Sequence, residues 1–569
     1  MKILEHIEAE LQKQSVALAL YAVRHDNRTP VEEITVPLCD NVEFTLGNAR
    51  FCVRLFATPA TFGGTLLDIH FKILSGTVDN ASLGVCAEFT KWSRDEWVFM
   101  PACVYAGNRF RRVTPEDMQN PAPDPESWVT LTRDLGLNPG DGASRIQVLA
   151  GDCAAPCAGI LSPSAQRGLL LLSTQGSGYG DLGIHVEENE TRSHARLLFK
   201  SPGVREGAKY NVANSRFRDA DAGACFSGGD SLTLPLLVHT FPATTPEALY
   251  KHFVRLRKTF GPHRERHDLP FETAFRLIEE KHNRENWIES YGYWSVGMRE
   301  SLPQDWQSGW VGGPNTMWPL FLRGDACSTG RALRVWDFVA EHAVTPSGFL
   351  KGSFTKGDWG NAPERCYMRY SADTLYFLMK TLLHLRVGPP HIEPNETWLS
   401  LARGLCKAFT GCWEESGHLP HYADARTGHV IVGGSCAAAL APAGLALAAR
   451  YFDEPGYRTV AESAARRYRD NFLAKGITNG GPGDIRQNVD SESAAALLES
   501  FIILMEESDG APEWVDAAVR AAAYCATWVT SYDFCFPPAS TFGQLDMLTT
   551  GTVWANVQNK HAAPGICTL

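Results

Sequence analysis

The C-terminal half of the chain is constrained most by the way its predicted helices are connected. Long loops at 287–314, 344–366, 413–435, 475–489 and 531–549 alternate with short connections at 388–394, 453–455 and 508–511. Helices after long loops are apolar on nearly all sides, as in SAAALLESFIILM, whereas helices after short connections carry a charged face, as in YRTVAESAARRYRDNFLAK. Helices that are apolar all round are buried, and amphipathic helices lie outside them. The pattern predicts pairs of inner and outer helices that close into an (α/α)-toroid, similar to an (α/α)6-barrel.

This prediction places all the long loops on one face of the ring, where a binding cleft is expected. An open helical solenoid is the rival fold, although its loops are usually short on both faces. The predicted helices lie at about 315–324, 328–343, 367–387, 395–412, 436–452, 456–474, 490–507 and 512–530, with a shorter one near 550.

The N-terminal half has the period of β-strands. Leu67, Ile69, Phe71 and Ile73 alternate with polar residues, and SLTLPLLVHTF at 231–241 is typical of a more fully buried strand. We therefore predict an antiparallel β-sandwich over about 30–241, preceded by a helix at about 3–23. Thr245 and Pro246 then mark a helix start. The predicted domains are 1–244 (helix and β-sandwich), 245–269 (linker helix) and 270–569 (toroid).

Composition narrows the range of partners. The formal net charge of −11 disfavours nucleic acid and anionic membranes as partners. The N-terminal segment MKILEHIEAELQKQ lacks the apolar core of a signal peptide, and no window reaches the roughly 18 apolar residues of a membrane span. The 15 cysteines are scattered, without a second pair at zinc-ligand spacing. These features predict a cytoplasmic protein without cofactor or metal, and they leave a homodimer open.

The first two long loops contain acids and tryptophans. Trp306 and Trp310 belong to a group of four tryptophans between residues 294 and 318, and aromatic faces suit the apolar side of sugar rings. In the second loop, KGDWGNAPERCY, Asp358 stands beside Trp359, and Glu364 precedes Arg365. We predict Asp358 or Glu364 as a general acid, with the tryptophans as a sugar platform.

The later loops add further candidates. His421 and Tyr422 in the third loop are predicted to hydrogen-bond sugar hydroxyls or to take a proton. In the fourth loop, NGGPGDIRQNVDSESAAALLES, Asp490 is explained as a helix N-cap. The other candidates of these loops are Asp484 and Glu492 as catalytic carboxylates, and Arg486 and, near the C-terminus, His561 as substrate-binding residues.

Several short segments are similar to glycoside hydrolase family 154. They are VYAGNRF (104–110), SGWVGG (308–313), KGDWGN (356–361), NVDSESAAALLES (488–500) and VQNKHAAPGICT (557–568). The resemblance implies a toroid enzyme that releases β-linked glucuronic acid from a chain end. A uronate substrate agrees with arginines such as Arg365 and Arg486 in the loops. One feature departs from this fold, because a ring of six helix pairs would continue for one to three helices beyond Leu569. We expect either a ring of about five pairs, or closure with help from the N-terminal helix, or a truncated chain.

Three functions follow as hypotheses. A glycosidase acting on an acidic sugar needs two carboxylates, which the long loops supply. A polysaccharide lyase would need a Tyr or His base and a group that neutralises the substrate carboxylate, and His421, Tyr422 and Asn361 are candidates. A carbohydrate-binding protein without catalysis is the third, although binding alone does not require so many loop acids. The sequence contains no G-x-S-x-G, Walker or H-E-x-x-H motif. Dinucleotide and phosphoryl-transfer chemistries therefore receive little support.

Overall fold

The computed structural model describes residues 2–112, 129–130, 135–207, 209–212, 215–218, 220–261, 269–296, 305–309, 312–355, 357–359, 364–388, 391–482 and 487–558. The chain divides into two compact units. Unit 1 comprises Met1–Arg112, Thr130–His263 and Ala523–Ala562, and unit 2 comprises Val113–Val129, Arg264–Ala522 and Ala563–Leu569. None of the described helices has the length and apolar character needed to cross a bilayer.

Unit 1 contains most of the strands of the chain. Their bounds are β1 Val16–Asp26, β2 Thr29–Pro37, β3 Val42–Leu46, β4 Ala49–Pro59, β5 Thr65–Ser75, β6 Thr77–Phe89, β7 Trp97–Phe99, β8 Arg111–Arg112, β9 Val129–Thr130, β10 Ser144–Leu149, β11 Cys157–Ser162, β12 Arg167–Leu172, β13 Gly176–Ser177, β14 Gly180–Asp181, β15 Gly183–Glu188, β16 Ala195–Ser201, β17 Lys209–Val212, β18 Ser215–Arg218, β19 Ala224–Ser227 and β20 Ser231–Pro242.

Two antiparallel sheets organise these strands. One has the order β10-β15-β16-β6-β1-β2, with β19 also paired to β6, and the other has the order β3-β4-β5-β20-β12-β11-β7. Side chains of both sheets, such as Leu20 and Phe71, belong to one buried apolar cluster. The alternation predicted for β5 is confirmed, because Leu67, Ile69 and Ile73 are also fully buried.

The predicted N-terminal helix is too long. Helix α1 spans Lys2–Gln12, and the residues after it form β1. The segment VALALYAVRHD is apolar enough for a helix, but its backbone pairs with β6 on one side and β2 on the other. Two neighbouring strands satisfy the backbone of a whole segment and bury its apolar side chains, which outweighs local helix propensity.

The predicted helix start at Thr245 is confirmed. Helix α2 spans Pro246–Leu256 with Thr245 in the N-cap position, although the Thr245 side chain makes no capping hydrogen bond, and a 3-10 turn follows at Arg257–Phe260. The segment 523–562, predicted to belong to the helical domain, groups with unit 1. There the rings of Tyr105 and Trp528 stack with centroids 4.8 Å apart, and Arg257 Nη1 donates to the carbonyl of Ala526 at 2.6 Å.

Unit 2 contains most of the helices. The remaining helices are α3 Phe271–Lys281, α4 Pro314–Arg323, α5 Ala326–Phe338, α6 Met368–Val387, α7 Glu396–Ser416, α8 Ala441–Phe452, α9 Pro455–Asn471, α10 Ser491–Glu507 and α11 Pro512–Cys525. The last three residues of α11 belong to unit 1, as does α12 Thr541–Gln544. Helix α8 starts later than predicted, and Pro442 lies in its first turn. The short helix predicted near residue 550 instead lies at 541–544.

The burial of these helices follows the predicted alternation. Residues of α6, α8 and α10 are buried on most sides, whereas α7 and α9 bury one face. The buried helices contact one another: Gly444 of α8 packs against Leu375 of α6, and Ser500 of α10 donates to the carbonyl of Ala439, just before α8, at 2.5 Å. The closure of these helices into a toroid stays a prediction.

The long loops contain short strands that the sequence did not predict. They are β21 Trp287–Ile288, β22 Tyr293–Trp294, β23 Trp306–Gln307, β24 Ser353–Thr355, β25 Asp358–Trp359, β26 Arg365–Tyr367, β27 Tyr422–Asp424 and β28 Val430–Val432. Strands of two different loops pair in the sheets β23-β24-β25 and β26-β27-β28. Each sheet thereby fixes residues of separate loops next to each other.

Candidate active site

An aromatic cluster surrounds the sheet β23-β24-β25. Trp306 is fully buried, and its ring lies 6.1 Å from Trp359 at an angle of 81°. Trp359 is half-buried and stacks at 6.1 Å on Phe338, while Lys351 Nζ lies 5.0 Å from the Trp359 ring centre. Trp306 therefore packs beneath Trp359 in this structure. Of these two candidate tryptophans, Trp359 is the one with surface left to meet a sugar.

A buried ion-pair network lies at the start of α6. Arg369 Nε donates to Asp373 Oδ2 at 3.1 Å, Arg369 Nη1 donates to the carbonyl of Gly481 at 2.7 Å, and Nη1 also pairs with the carboxylate of Glu492. Burial raises the pKa of Asp373 to about 6, although Arg369 opposes this shift. Burial by itself lowers the pKa of Arg369, but the carboxylates of Glu492 and Asp373 raise it well above its usual value. The network joins α6 to the first turn of α10.

Asp490 is the N-cap of α10, as predicted. Its Oδ1 accepts a hydrogen bond from Ser493 N at 2.7 Å, and its Oδ2 accepts one from Gly481 N at 2.9 Å. Burial raises the pKa of Asp490 to about 7, although both backbone hydrogen bonds lower it. Both carboxylate oxygens of Asp490 therefore hold the backbone of the fourth loop and of the start of α10 in place.

His421 connects the third loop to the fourth. It is fully buried, its Nδ1 lies 2.9 Å from Ser435 Oγ, and its ring is 5.2 Å from that of Tyr367. The hydroxyl of Tyr367 in turn donates to the carbonyls of Gly480 and Gly481. Through these two glycines the surroundings of His421 are continuous with the Arg369 network.

The backbone conformation and the close neighbours of Gly480 leave no room for a side chain at this position. Gly480 has a φ of +88°, and a Cβ there would lie 2.7 Å from Ser435 Oγ and 3.1 Å from His421 Nδ1. We expect Gly480→Ala to lower the free energy of unfolding by about 2–3 kcal/mol, because positive φ and overpacking both cost energy. Urea denaturation checks this. Gly411→Ala, where the added Cβ meets open space within α7, should raise stability by about 0.5–1 kcal/mol. Equal losses in the two variants would contradict the prediction.

The sheet β26-β27-β28 presents the accessible part of the site. Arg365 is half-buried, and its guanidinium carbon lies 4.9 Å from the centre of the Tyr422 ring on the neighbouring strand. Among the described residues, no carboxylate forms an ion pair with Arg365, although Asp424 lies opposite it on β27. Glu364 precedes it with an exposed side chain, and the Glu364 carbonyl accepts a hydrogen bond from Ala425 N at 2.8 Å. The cation of Arg365 and the aromatic face of Tyr422 therefore adjoin each other, and the exposed Glu364 is the preceding residue of the chain.

The structure brings some predicted site residues together and not others. The ring of His421 contacts that of Tyr422, and the Tyr422 ring contacts the guanidinium of Arg365. Glu492 belongs to the separate Arg369 network. Asp358 is exposed on β25 and pairs through its backbone with Thr355. The remaining predicted residues lie outside the described part of the chain: Trp310, Asn361, Asp484, Arg486 and His561.

Tyr367, Arg369 and Asp373 were not predicted from the sequence as site residues. A signal for two of them was present, because Arg369 and Asp373 are charged residues four positions apart in a helix that is otherwise apolar on most sides. Within the described residues, no group of three or more His, Cys, Asp or Glu side chains is arranged to hold a metal ion.

Comparisons with known proteins add little to this geometry. No protein-family model matches the sequence, and no curated protein is significantly similar to it. Among solved structures, a polysaccharide lyase has 11% identity and a TM-score of 0.39, over 91% of this chain and 76% of the lyase. An unsaturated glucuronyl hydrolase from Streptococcus agalactiae has 11% identity and a TM-score of 0.35, over 58% and 80% of the two chains. That of Bacillus sp. GL1 has 16% identity and a TM-score of 0.30, over 50% and 69%. Similarity at this level carries no conclusion about the reaction or substrate of this chain.

Proposed function

We propose that this protein is a glycoside hydrolase that releases a β-linked glucuronic acid from the end of a glycan or glucuronide. The observation that carries the proposal is the arrangement of Arg365, Tyr422 and Glu364 on and beside the sheet β26-β27-β28. Each of the three supplies a group that an acidic sugar requires.

Arg365 is suited to the carboxylate of the sugar. The guanidinium carbon lies 4.9 Å from the centre of the Tyr422 ring, a cation–π contact that helps to hold the side chain in place. An arginine held in this way can bind a carboxylate through two parallel hydrogen bonds. Arg365 forms no ion pair with a described carboxylate, although Asp424 lies opposite it on β27, so a uronate would supply its direct ion-pair partner.

Glu364 is suited to act as the general acid. Cleavage of a glycosidic bond needs one carboxyl to protonate the leaving oxygen and a second carboxylate to activate water or to attack. The exposed Glu364 can reach a bound sugar, and Asp358 is its rival beside Trp359. For the second carboxylate, Glu492 and Asp484 stay the candidates, and His421 stays a candidate proton acceptor.

The pair Arg365 and Tyr422 also favours a second candidate, a polysaccharide lyase. β-Elimination next to a uronate needs a cation to neutralise the carboxylate and a base to remove the α-proton, and a phenol beside an arginine offers both. The two reactions differ in their products. A hydrolase releases saturated glucuronic acid, whereas a lyase forms an unsaturated uronate that absorbs in the ultraviolet.

The first test is incubation with p-nitrophenyl β-D-glucuronide and with the matching glucoside. We expect nitrophenol from the glucuronide alone. Arg365→Gln should raise the KM for the glucuronide roughly tenfold to hundredfold, because a charge-assisted pair is lost. Arg365→Lys should recover part of the loss. Arg403→Gln is the matched control, because exposed Arg403 stacks at 4.0 Å on Phe452 away from the site.

Two results would count against the proposal. Release of nitrophenol from the glucoside at an equal rate would remove the role of the carboxylate. An ultraviolet-absorbing product from a uronate polysaccharide, without nitrophenol from the aryl glucuronide, would favour the lyase.

A further inference from the structure

Three basic side chains are buried on one sheet of unit 1. His25, His185 and Lys200 lie on β1, β15 and β16, and each is at most 3% exposed. His185 and Lys200 alternate with Ile184 and Phe199, which belong to the apolar cluster that both sheets share. Because successive side chains of a strand point to opposite faces, His185 and Lys200 lie on the outer face of their sheet.

The register of the sheet places these groups near one another. Lys200 pairs with Gly183 on β15, and a Cβ at Gly183 would lie 3.0 Å from His185 Nε2. The ring of His185 therefore leans over the residue opposite Lys200. The charge of Lys200 contributes to a lowered pKa of both His185 and His25, in addition to the larger effect of burial. We call His25, His185 and Lys200 the basic cluster.

The segment 202–207, which we call the strap, follows β16 and turns back across the sheet. A Cβ at Gly203 would lie 2.7 Å from Gly183 Cα, so the strap contacts β15 beside His185. Gly203 N also donates to the carbonyl of Asp181 at 2.7 Å. The first residues of the strap thereby cover β15 next to the ring of His185.

Polar contacts hold the far part of the strap. Glu206 N donates to Gln147 Oε1 at 2.8 Å, and Gln147 is the residue of β10 that pairs with His185. The carboxylate of Glu206 pairs with Arg145 of β10 at 2.6 Å, and the Arg145 side chain is 49% exposed. Ion pairs of this exposure stabilise a structure only weakly. The strap is therefore a part of unit 1 that can leave the sheet without disturbing its apolar core.

The electrostatics of the closed strap disfavour protons on the histidines. The pKa of His25 is lowered to about 4, chiefly by burial and then by Lys200, although Glu206 and Glu33 oppose the shift. Burial, with Lys200 and Arg205 next, lowers the pKa of His185 well below its usual value. The charged and titratable groups that face the cluster among the described residues are Tyr21 on β1, Glu33 on β2, Cys86 on β6, Arg145 on β10, Glu187 on β15, Arg196 on β16, and Arg205 and Glu206 in the strap.

We propose that the strap and the basic cluster form a pH-sensitive switch, in which charging of His25 and His185 in mild acid releases the strap from the sheet. Neither ring nitrogen of His185 has a hydrogen-bond partner among the described residues, and the same holds for Nε2 of His25. Lys200 forms no ion pair with a described carboxylate. A proton on either ring therefore adds a positive charge that the closed face does not solvate, whereas water solvates it once the strap has left. The switch does not depend on the reaction proposed above.

The direction of the switch follows from the lowered pKa of both histidines. The closed state keeps its full stability above the ordinary histidine pKa of about 6.5 and loses stability as the pH falls below this value. One histidine changes the equilibrium between open and closed strap by about 30-fold between pH 7.5 and pH 5. Lys200 adds little in this range, because its pKa of about 8 leaves it mostly charged in both states.

Hydrogen–deuterium exchange of the full chain, read by mass spectrometry and corrected for the intrinsic effect of pH, tests the proposal. We expect the exchange rate of the strap amides to rise at least about tenfold between pH 7.5 and pH 5. Amides of β5, in the other sheet, should change by less than about twofold. The range ends at pH 5 because ordinary carboxyl groups protonate below it.

Two variants remove the titrating groups. His185→Leu removes a ring whose nitrogens have no described partner, and His25→Asn keeps a donor for the carbonyl of Asn80, which lies 3.2 Å from His25 Nδ1. Each variant should reduce the rise in strap exchange, and the double variant should reduce it to within about twofold. His194→Gln is the matched control, because exposed His194 lies in the turn between β15 and β16, and it should leave the rise unchanged.

Three results would overturn the proposal. The first is strap exchange that does not depend on pH in the wild type. The second is a double variant whose strap opens as strongly as that of the wild type; if His185→Leu does not fold, an unchanged rise in His25→Asn has the same meaning. The third is an equal rise in β5, because unit 1 would then unfold as a whole in acid.

Discussion

Arg369→Met is expected to lower the free energy of unfolding by about 3–5 kcal/mol at neutral pH. Arg369 is the shared counterion of two carboxylates, Asp373 and Glu492, and all three side chains are almost fully buried. Methionine fills a similar volume without the charge, so the variant leaves two like charges in a low-dielectric interior. Urea denaturation of the full chain, followed by tryptophan fluorescence, measures the change.

Arg466→Met is the matched control for this prediction. Arg466 also bridges two carboxylates, those of Glu462 and Glu513, but its side chain is 40% exposed. Exposed ion pairs contribute about 0–1 kcal/mol, because water solvates the charges that remain. Equal effects of Arg369→Met and Arg466→Met would contradict the importance of burial.

The loss in Arg369→Met should depend on pH. Burial raises the pKa of Asp373 to about 6, so the folded state binds more protons than the unfolded state at mildly acidic pH. The neutral Asp373 carboxyl contributes its full stability below the pKa that Asp373 has in the unfolded state. This contribution is lost as the pH rises through the pKa that Asp373 has in the folded state. Without Arg369 the folded pKa should rise further. The difference between wild type and variant is therefore expected to be smaller at about pH 4 than at about pH 7.

Neutral partners provide the complementary variant. Asp373→Asn and Glu492→Gln, added to Arg369→Met, remove both stranded charges and should recover most of the lost stability. If the triple variant were as unstable as the single one, lost packing rather than unpaired charge would explain the loss.

The features that the sequence predicted well are those that depend on local chemistry. Pro246 at the start of α2 and the Asp490 cap of α10 follow from backbone groups within one helical turn. The buried and amphipathic helices follow from a period that is written in consecutive residues, as in α8 and α9.

The features that were missed depend on partners far away in sequence. Residues 16–26 form β1 because β6 lies beside them, and nothing within the segment itself reports that neighbour. The sheet β26-β27-β28 likewise joins Arg365 to a strand more than 50 residues away, so the contact between Arg365 and Tyr422 could not be derived from spacing. The Arg369 network has the same origin, because Glu492 reaches it from another helix.

Glu364→Gln is expected to reduce kcat for phenyl β-D-glucuronide by about 10²–10⁴-fold. Glutamine keeps the size of the side chain but has no proton to give to the leaving oxygen. Because Glu364 is exposed and its backbone is held by Ala425 N, the fold should be unaffected, and the melting temperature should change by less than about 2 °C.

The leaving group distinguishes a general acid from a residue that only binds substrate. A nitrophenolate departs without much help, so the loss with p-nitrophenyl glucuronide should be at least tenfold smaller than the loss with phenyl glucuronide. A loss that is equal for both leaving groups would assign Glu364 to binding alone.

Asp358→Asn and Glu415→Gln complete the experiment. Asp358 is the rival acid, beside Trp359, and if it carries the proton, the same dependence on the leaving group will appear in Asp358→Asn and not in Glu364→Gln. Glu415 is an exposed carboxylate at the end of α7 that pairs with His429, so Glu415→Gln should keep kcat within about twofold. Asp358 and Glu364 would protonate the leaving oxygen by the same chemistry. If the loss of kcat is independent of the leaving group in both Asp358→Asn and Glu364→Gln, neither carboxyl of the second loop protonates the leaving oxygen.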